Sequence, residues 1–271
     1  MKYYLGVLIA CILFIGCKKT IDSDNFNTCN NPANIIHGGV QIGLNENLSS
    51  DKSNHTLSFN CTTNNWQPCA GYVLKTCSNK SSNNFYISFD ALITPGVCFS
   101  VVSKPWAPIN LDMVSVGTYN LNFRINSHTY SGLLKISDTS YIVDVKGIKD
   151  ADIIIYNDTL HKMPQHTIWG EISYFDEKDS VLAKKTIADL KLLGAVDSLY
   201  APANYGYFQI DQQHKISFWN VDALNYPRDF IFKYYGDTLT LKNFVESYGT
   251  TGSDYFQVKI YTSEGQVYRN Y

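Results

Sequence analysis

"FYISFDALI", residues 85–93, decides the fold class. Phe85, Ile87, Phe89, Ala91 and Ile93 fall on one parity while Tyr86, Ser88 and Asp90 fall on the other, the period of two that an extended chain imposes on its side chains. "TYNLNFRIN", residues 118–126, repeats the pattern: Tyr119, Leu121, Phe123 and Ile125 alternate with Asn120, Asn122, Arg124 and Asn126. One apolar and one polar face mean half-buried antiparallel strands. Asn126, Ser127 and His128 then turn into residues 129–137, and Asp138, Thr139 and Ser140 turn into residues 141–145, which reads as a meander. Short strands at this spacing predict a β-sandwich over residues 35–146.

Strand patterns resume at residue 167 with "TIWGEISYF", "YGYFQID", "HKISFWN", "RDFIFKYY" and "SDYFQVKIYT". The chain is therefore expected to be all-β, with a second, aromatic-rich antiparallel domain over residues 167–271 that forms a sandwich or a small barrel. Residues 147–166 read as a linker or connecting strand, with 153–156 apolar enough for one buried strand. Residues 180–193 carry Val181, Leu182, Ile187, Leu190 and Leu193, which leaves short helix and further strand both open. Residues 205–211 and 214–220, joined through Gln212 and Gln213, read as a hairpin.

Sorted by parity, Phe208, Ile210, Ile216, Phe218, Phe256, Val258 and Ile260 form an expected core face. The opposite parity collects Tyr205, Tyr207, Trp219, Tyr255 and Tyr261 among Gln209, Lys215, Gln257 and Lys259. Rings mixed with amides and amines suit packing against another layer or a platform for a sugar. Those five aromatic residues are the expected ligand contacts.

Charge excludes one large class of partner. A formal net charge of −2 gives no broad attraction to nucleic acid. Twenty tyrosines and 14 phenylalanines fit a β-rich chain. Five of the seven cysteines, Cys29, Cys61, Cys69, Cys77 and Cys98, lie between residue 18 and residue 100, which predicts a locally stapled first domain. Two bridges among five leave one thiol over, and spacing does not choose the pairs. There is no Cys-x-x-Cys, and the intervals of eight residues between Cys61, Cys69 and Cys77 match no zinc pattern, so no metal is expected.

Lys2 followed by the apolar residues 3–16 matches a secretory signal, too short to span a bilayer before Lys18 and Lys19. Phe14, Ile15, Gly16 and Cys17 resemble the lipobox of bacterial lipoproteins. That resemblance implies a signal peptide over residues 1–16, acylation of Cys17 and a flexible tether over 17–34. Lys18, where an aspartate would favour the inner membrane, implies outer-membrane residence in a Gram-negative envelope. Several acyl chains would make the attachment effectively permanent.

Two further resemblances are short. "GTYNLNF", residues 117–123, is similar to a closing strand of immunoglobulin-like and transthyretin-like modules. The hairpin over 205–220 together with "FIFKYYGDTLTLKN", residues 230–243, resembles the middle hairpins of lipocalin-like envelope domains, which implies a cup around a hydrophobic ligand. Asp158-Thr159-Leu160, Asp179-Ser180-Val181, Asp197-Ser198-Leu199 and Asp237-Thr238-Leu239 are similar to an envelope O-glycosylation acceptor, although Asp-Thr turns give the same words.

No Gly-x-Ser-x-Gly, His-Glu-x-x-His, P-loop or dinucleotide fingerprint occurs. His161 and His166 are close in sequence, but Pro164 prevents one helix from presenting both. Asp176, Glu177 and Asp179 read as a solvated hairpin turn. The expectation is a non-enzymatic, lipid-anchored binding or scaffolding module with no cofactor, whose partners are the membrane and a glycan, a hydrophobic ligand or an envelope protein. The alternative is a hydrolase or protein inhibitor with a site assembled from distant loops.

Overall fold

Ten strands build the first half of the protein: β1 Val40–Asn47, β2 Thr56–Thr63, β3 Val73–Ser81, β4 Asn84–Ile93, β5 Trp106–Asn110, β6 Gly117–Ile125, β7 His128–Ile136, β8 Ser140–Val145, β9 Ile153–Asn157 and β10 Thr159–His161. They belong to a computed structural model that describes residues 35–49, 55–98, 100–111, 115–146, 148, 152–219, 226–249 and 256–271. One sheet has the order β5-β2-β1-β9 and the other β10-β8-β7-β6-β4-β3. Two pairings, β1 with β9 and β4 with β6, are parallel, so the expected purely antiparallel arrangement holds only in part. The fold is nonetheless mostly β. Residues 147–166 are more than a linker, because β9 and β10 each complete one of the two sheets.

The alternation in the sequence selects the core. Ile42, Leu44 and Phe59 from the first sheet meet Phe85, Ile87, Phe89, Leu121, Phe123 and Ile125 from the second, all buried. Burying each such side chain is worth about 1.5–3 kcal/mol. Glu46 shares the inward parity of Val40, Ile42 and Leu44, so a carboxylate stands at the end of that row. The expectation of a solvated polar face on β4 is corrected: Tyr86, Ser88 and Asp90 are buried as well. β4 is an interior strand between β3 and β6, and Arg124 on β6 pairs with Asp90 at 3.7 Å.

The cysteines sort themselves. Cys69 and Cys98 are bonded with Cα atoms 5.4 Å apart, and Cys77 is also disulfide-bonded. Among the described residues Cys61 is the free thiol, buried in the core on β2. Burial pushes its pKa up, which makes it a poor nucleophile. Cys17 and Cys29 lie outside the described residues.

The second half contains β11 Thr167–Tyr174, α1 Ser180–Leu192, β12 Val196–Asp197, β13 Ala203–Asn204, β14 Phe208–Ile210, β15 Ile216–Phe218, β16 Tyr226–Lys233, α2 Thr238–Ser247, β17 Phe256–Thr262 and β18 Val267–Arg269. Its main sheet runs β12-β16-β11-β17-β18, and β13-β14-β15 form a small second sheet. The expected hairpin is present as β14 and β15, with Phe208 opposite Phe218 and Ile210 opposite Ile216. Residues 180–193, for which the sequence leaves helix and strand both open, form the helix Ser180–Leu192, and the correction here is that the second arm of the expected 230–243 hairpin is α2. Asp176, Glu177 and Asp179 form no hairpin turn: Asp176 caps a single 3-10 turn, Glu177–Asp179, that leads into α1.

The expected single core face splits in two. Phe256, Val258 and Ile260 on β17 pack with Ile168, Ile172, Phe230 and Phe232 under the helices, through Ala183, Leu190, Leu241 and Val245. Phe208 and Ile210, with Ile216 and Phe218 partly buried beside them, pack instead against Trp169, Ile231 and Tyr261 on the opposite face of the main sheet. β14 and β15 are stacked on that sheet and are not strands of it, so parity in one does not continue into the other.

Candidate functional site

Where the two halves meet, a cleft of about 430 Å³ opens between the β7–β8 turn, the chain leaving β10 and the approach to β14. Thr139 and Asp138 come from the turn. His161, Lys162 and Gln165 come from β10 and the residues after it, and Tyr205 comes from the second half. His55, just before β2, completes the wall.

Behind this wall sits Glu46, with no exposed surface. An isolated buried carboxylate is very costly, and its partners explain why it persists. Tyr141 donates its hydroxyl to Oε1 at 2.9 Å, and the backbone N–H of Met163 donates to Oε2 at 2.8 Å. His55 Nδ1 lies 3.3 Å from Oε1, and its Nε2 lies 3.1 Å from the backbone oxygen of Ser263. Both ring nitrogens thus face acceptors, an arrangement that only the imidazolium satisfies by donating twice. The Glu46 hydrogen bond accordingly raises the His55 pKa against the opposing effect of burial. Burial, with Glu46 alongside, pushes the Tyr141 phenol up.

Lys162 is positioned by its own backbone, whose N–H donates to Thr139 O at 2.9 Å, and its ammonium lies 5.0 Å from the centre of the Tyr141 ring. His161 meets Tyr205 edge-on at 5.6 Å between ring centres. Tyr205 is buried and donates its hydroxyl to Ala201 O at 3.1 Å. The cleft therefore offers an ammonium, imidazoles, a hydroxyl, an amide and one carboxylate around a fixed aromatic ring.

The chain matches no family model, and no curated protein or solved structure matches it.

Of the five aromatic residues expected to contact ligand, Tyr205 reaches the cleft. Tyr207 accepts a hydrogen bond from Leu48 N at 3.2 Å and packs on Trp169, and Tyr261 stacks on Trp169 with the ring planes 9° apart. For these two residues the packing alternative of that face is the one seen. Trp219 is 52 % exposed beyond the end of β15. Tyr255 lies outside the described residues. His161 and His166 part company, since His166 sits against Tyr235 at 4.8 Å. Among the described residues no group of three His, Cys, Asp or Glu side chains is placed to hold a metal. Sequence reasoning missed Glu46, His55, Lys162 and Gln165; the one available signal was a glutamate at an inward position of β1.

Proposed function

We propose that the protein is an outer-membrane lipoprotein, acylated at Cys17, that acts as a non-enzymatic module binding a glycan in the cleft between its halves. The observation that carries this reading is the mixed lining of the cleft. Lys162, His161, Thr139 and Gln165 can donate, Asp138 can accept, and the largely buried Tyr205 ring backs the lining, a combination suited to a polyhydroxylated ligand. The His55–Glu46 pair favours binding over acid-base chemistry, because both imidazole nitrogens and both carboxylate oxygens are already engaged.

Titration calorimetry of the purified protein against a panel of soluble oligosaccharides tests the reading. One or more should bind, and Lys162→Ala should weaken binding about tenfold, a loss of about 1.4 kcal/mol, without lowering the melting temperature. A panel that yields no heat, or a ligand whose affinity ignores Lys162, Gln165 and His161 alike, would rule the cleft out. Anchoring is checked separately by intact mass and membrane fractionation beside Cys17→Ala, which should be unacylated and absent from the outer membrane.

A further inference from the structure

At the corner where the described chain begins, at the opposite end of β1 and β2 from the cleft, the sandwich carries an apolar surface. Asn64 N donates to Gly39 O at 3.0 Å and Asn65 Nδ2 to His37 O at 3.3 Å, so the entering chain lies beside the end of β2. Trp66 follows, 64 % exposed. Gln67 and Ser103 exchange backbone hydrogen bonds of 2.8 and 3.2 Å, and the Cys69–Cys98 bridge ties the same two segments again. The second segment presents Val97, Val101, Val102 and Trp106, all exposed. Lys104 holds its ammonium 5.4 Å from the centre of the Trp66 ring. Residues 61–89 and 91–111 contain no aspartate or glutamate, and their only charges are Lys75, Lys80 and Lys104.

We propose that this corner is a lipid-contact surface that seats the folded body on the bilayer holding its anchor. Three exposed valines beside two indoles present mostly hydrocarbon with few hydrogen-bonding groups. That composition fits the boundary between headgroups and acyl chains, where tryptophan is favoured and lysine meets anionic lipid. The position of the corner supplies the partner. Residues 18–34 reach at most about 60 Å when extended and join the fold at Ile35 beside this surface, so an acylated Cys17 keeps it at high local concentration near lipid. The disulfide holds both segments before contact, so little ordering entropy is lost on docking. The proposal rests on the anchored reading above.

The test uses the mature protein purified from an expressing Gram-negative host, its acylation scored by intact mass, and reconstituted with phosphatidylethanolamine–phosphatidylglycerol vesicles brominated on the acyl chains. Tryptophan emission should fall. The loss should shrink in Trp66→Phe/Trp106→Phe and should disappear in Val101→Asp/Val102→Asp, a surface change checked for an unaltered melting temperature. Unchanged emission in an acylated protein overturns the lipid-contact surface and leaves the anchor standing. An unacylated mass with the Trp66- and Trp106-dependent loss retained overturns the anchor and supports the surface. Retention on an insoluble polysaccharide that depends on Trp66, without quenching, overturns the proposal in favour of a sugar surface.

Discussion

Glu46 ties the two halves of the protein together through His55, whose other nitrogen reaches the backbone of Ser263. Removing the charge should be costly because it leaves the remaining donors facing a neutral amide in a buried place. Glu46→Gln is expected to lower unfolding free energy by about 3 kcal/mol, measured by urea denaturation. The pH dependence has a definite sign. His55 binds its proton more tightly folded than unfolded, so its contribution is complete below the unfolded pKa of about 6.5 and is lost as pH rises through the raised folded value. Wild-type stability should therefore decline from slightly acid to slightly alkaline pH, and His55→Gln should remove that part of the decline. At Cys61 the expectation is kinetic: the native protein should resist alkylation there, and denaturant should expose the thiol, as read by peptide mass mapping.

Individual elements owe their form to a few positions. Asp237 caps α2 by accepting from Thr240 N at 2.8 Å and from the Thr240 hydroxyl at 2.6 Å. Asp237→Ala should cost about 1 kcal/mol in thermal or chemical unfolding. Gly170 in the centre of β11 has no room for a side chain, since a Cβ there would collide with the backbone carbonyl of Lys259 on β17. Gly170→Ala should destabilise by about 2 kcal/mol or more, because two central strands must separate to admit one methyl group. The strands around Phe85 and Tyr119 were legible because long alternation has one reading. α2 was not, because Thr238, Leu239, Thr240 and Leu241 alternate like a strand, and only the Asp237 cap and the spacing of Leu241, Val245 and Tyr248 betray a helix. α1 hides differently: its buried residues are the small Ala183 and Thr186 with Leu190, while Val181 and Leu192 lie exposed. The cleft was less legible still, since Glu46, His55, Lys162 and Tyr205 meet only through the pairing of distant strands.

At the scale of the whole molecule, two cores of different construction share one polar junction. The first is a β-sandwich stapled by disulfides; the second is a sheet with helices on one face and a small sheet on the other. Leu48 N donating to Tyr207, His55 bridging Glu46 to Ser263, and His161 set edge-on against Tyr205 are among the contacts that join them. Tyr207→Phe combined with His55→Gln should loosen the junction and separate a single calorimetric transition into two. The topology also has a bearing on timing. β1 lies between β2 and β9, and its parallel partner begins only at Ile153, so Val40 stays unpaired on that edge until more than half the chain has been made. A chain folding as it is synthesised would thus hold its first sheet incomplete over more than half of its length, with this strand edge open to wrong pairing for longest.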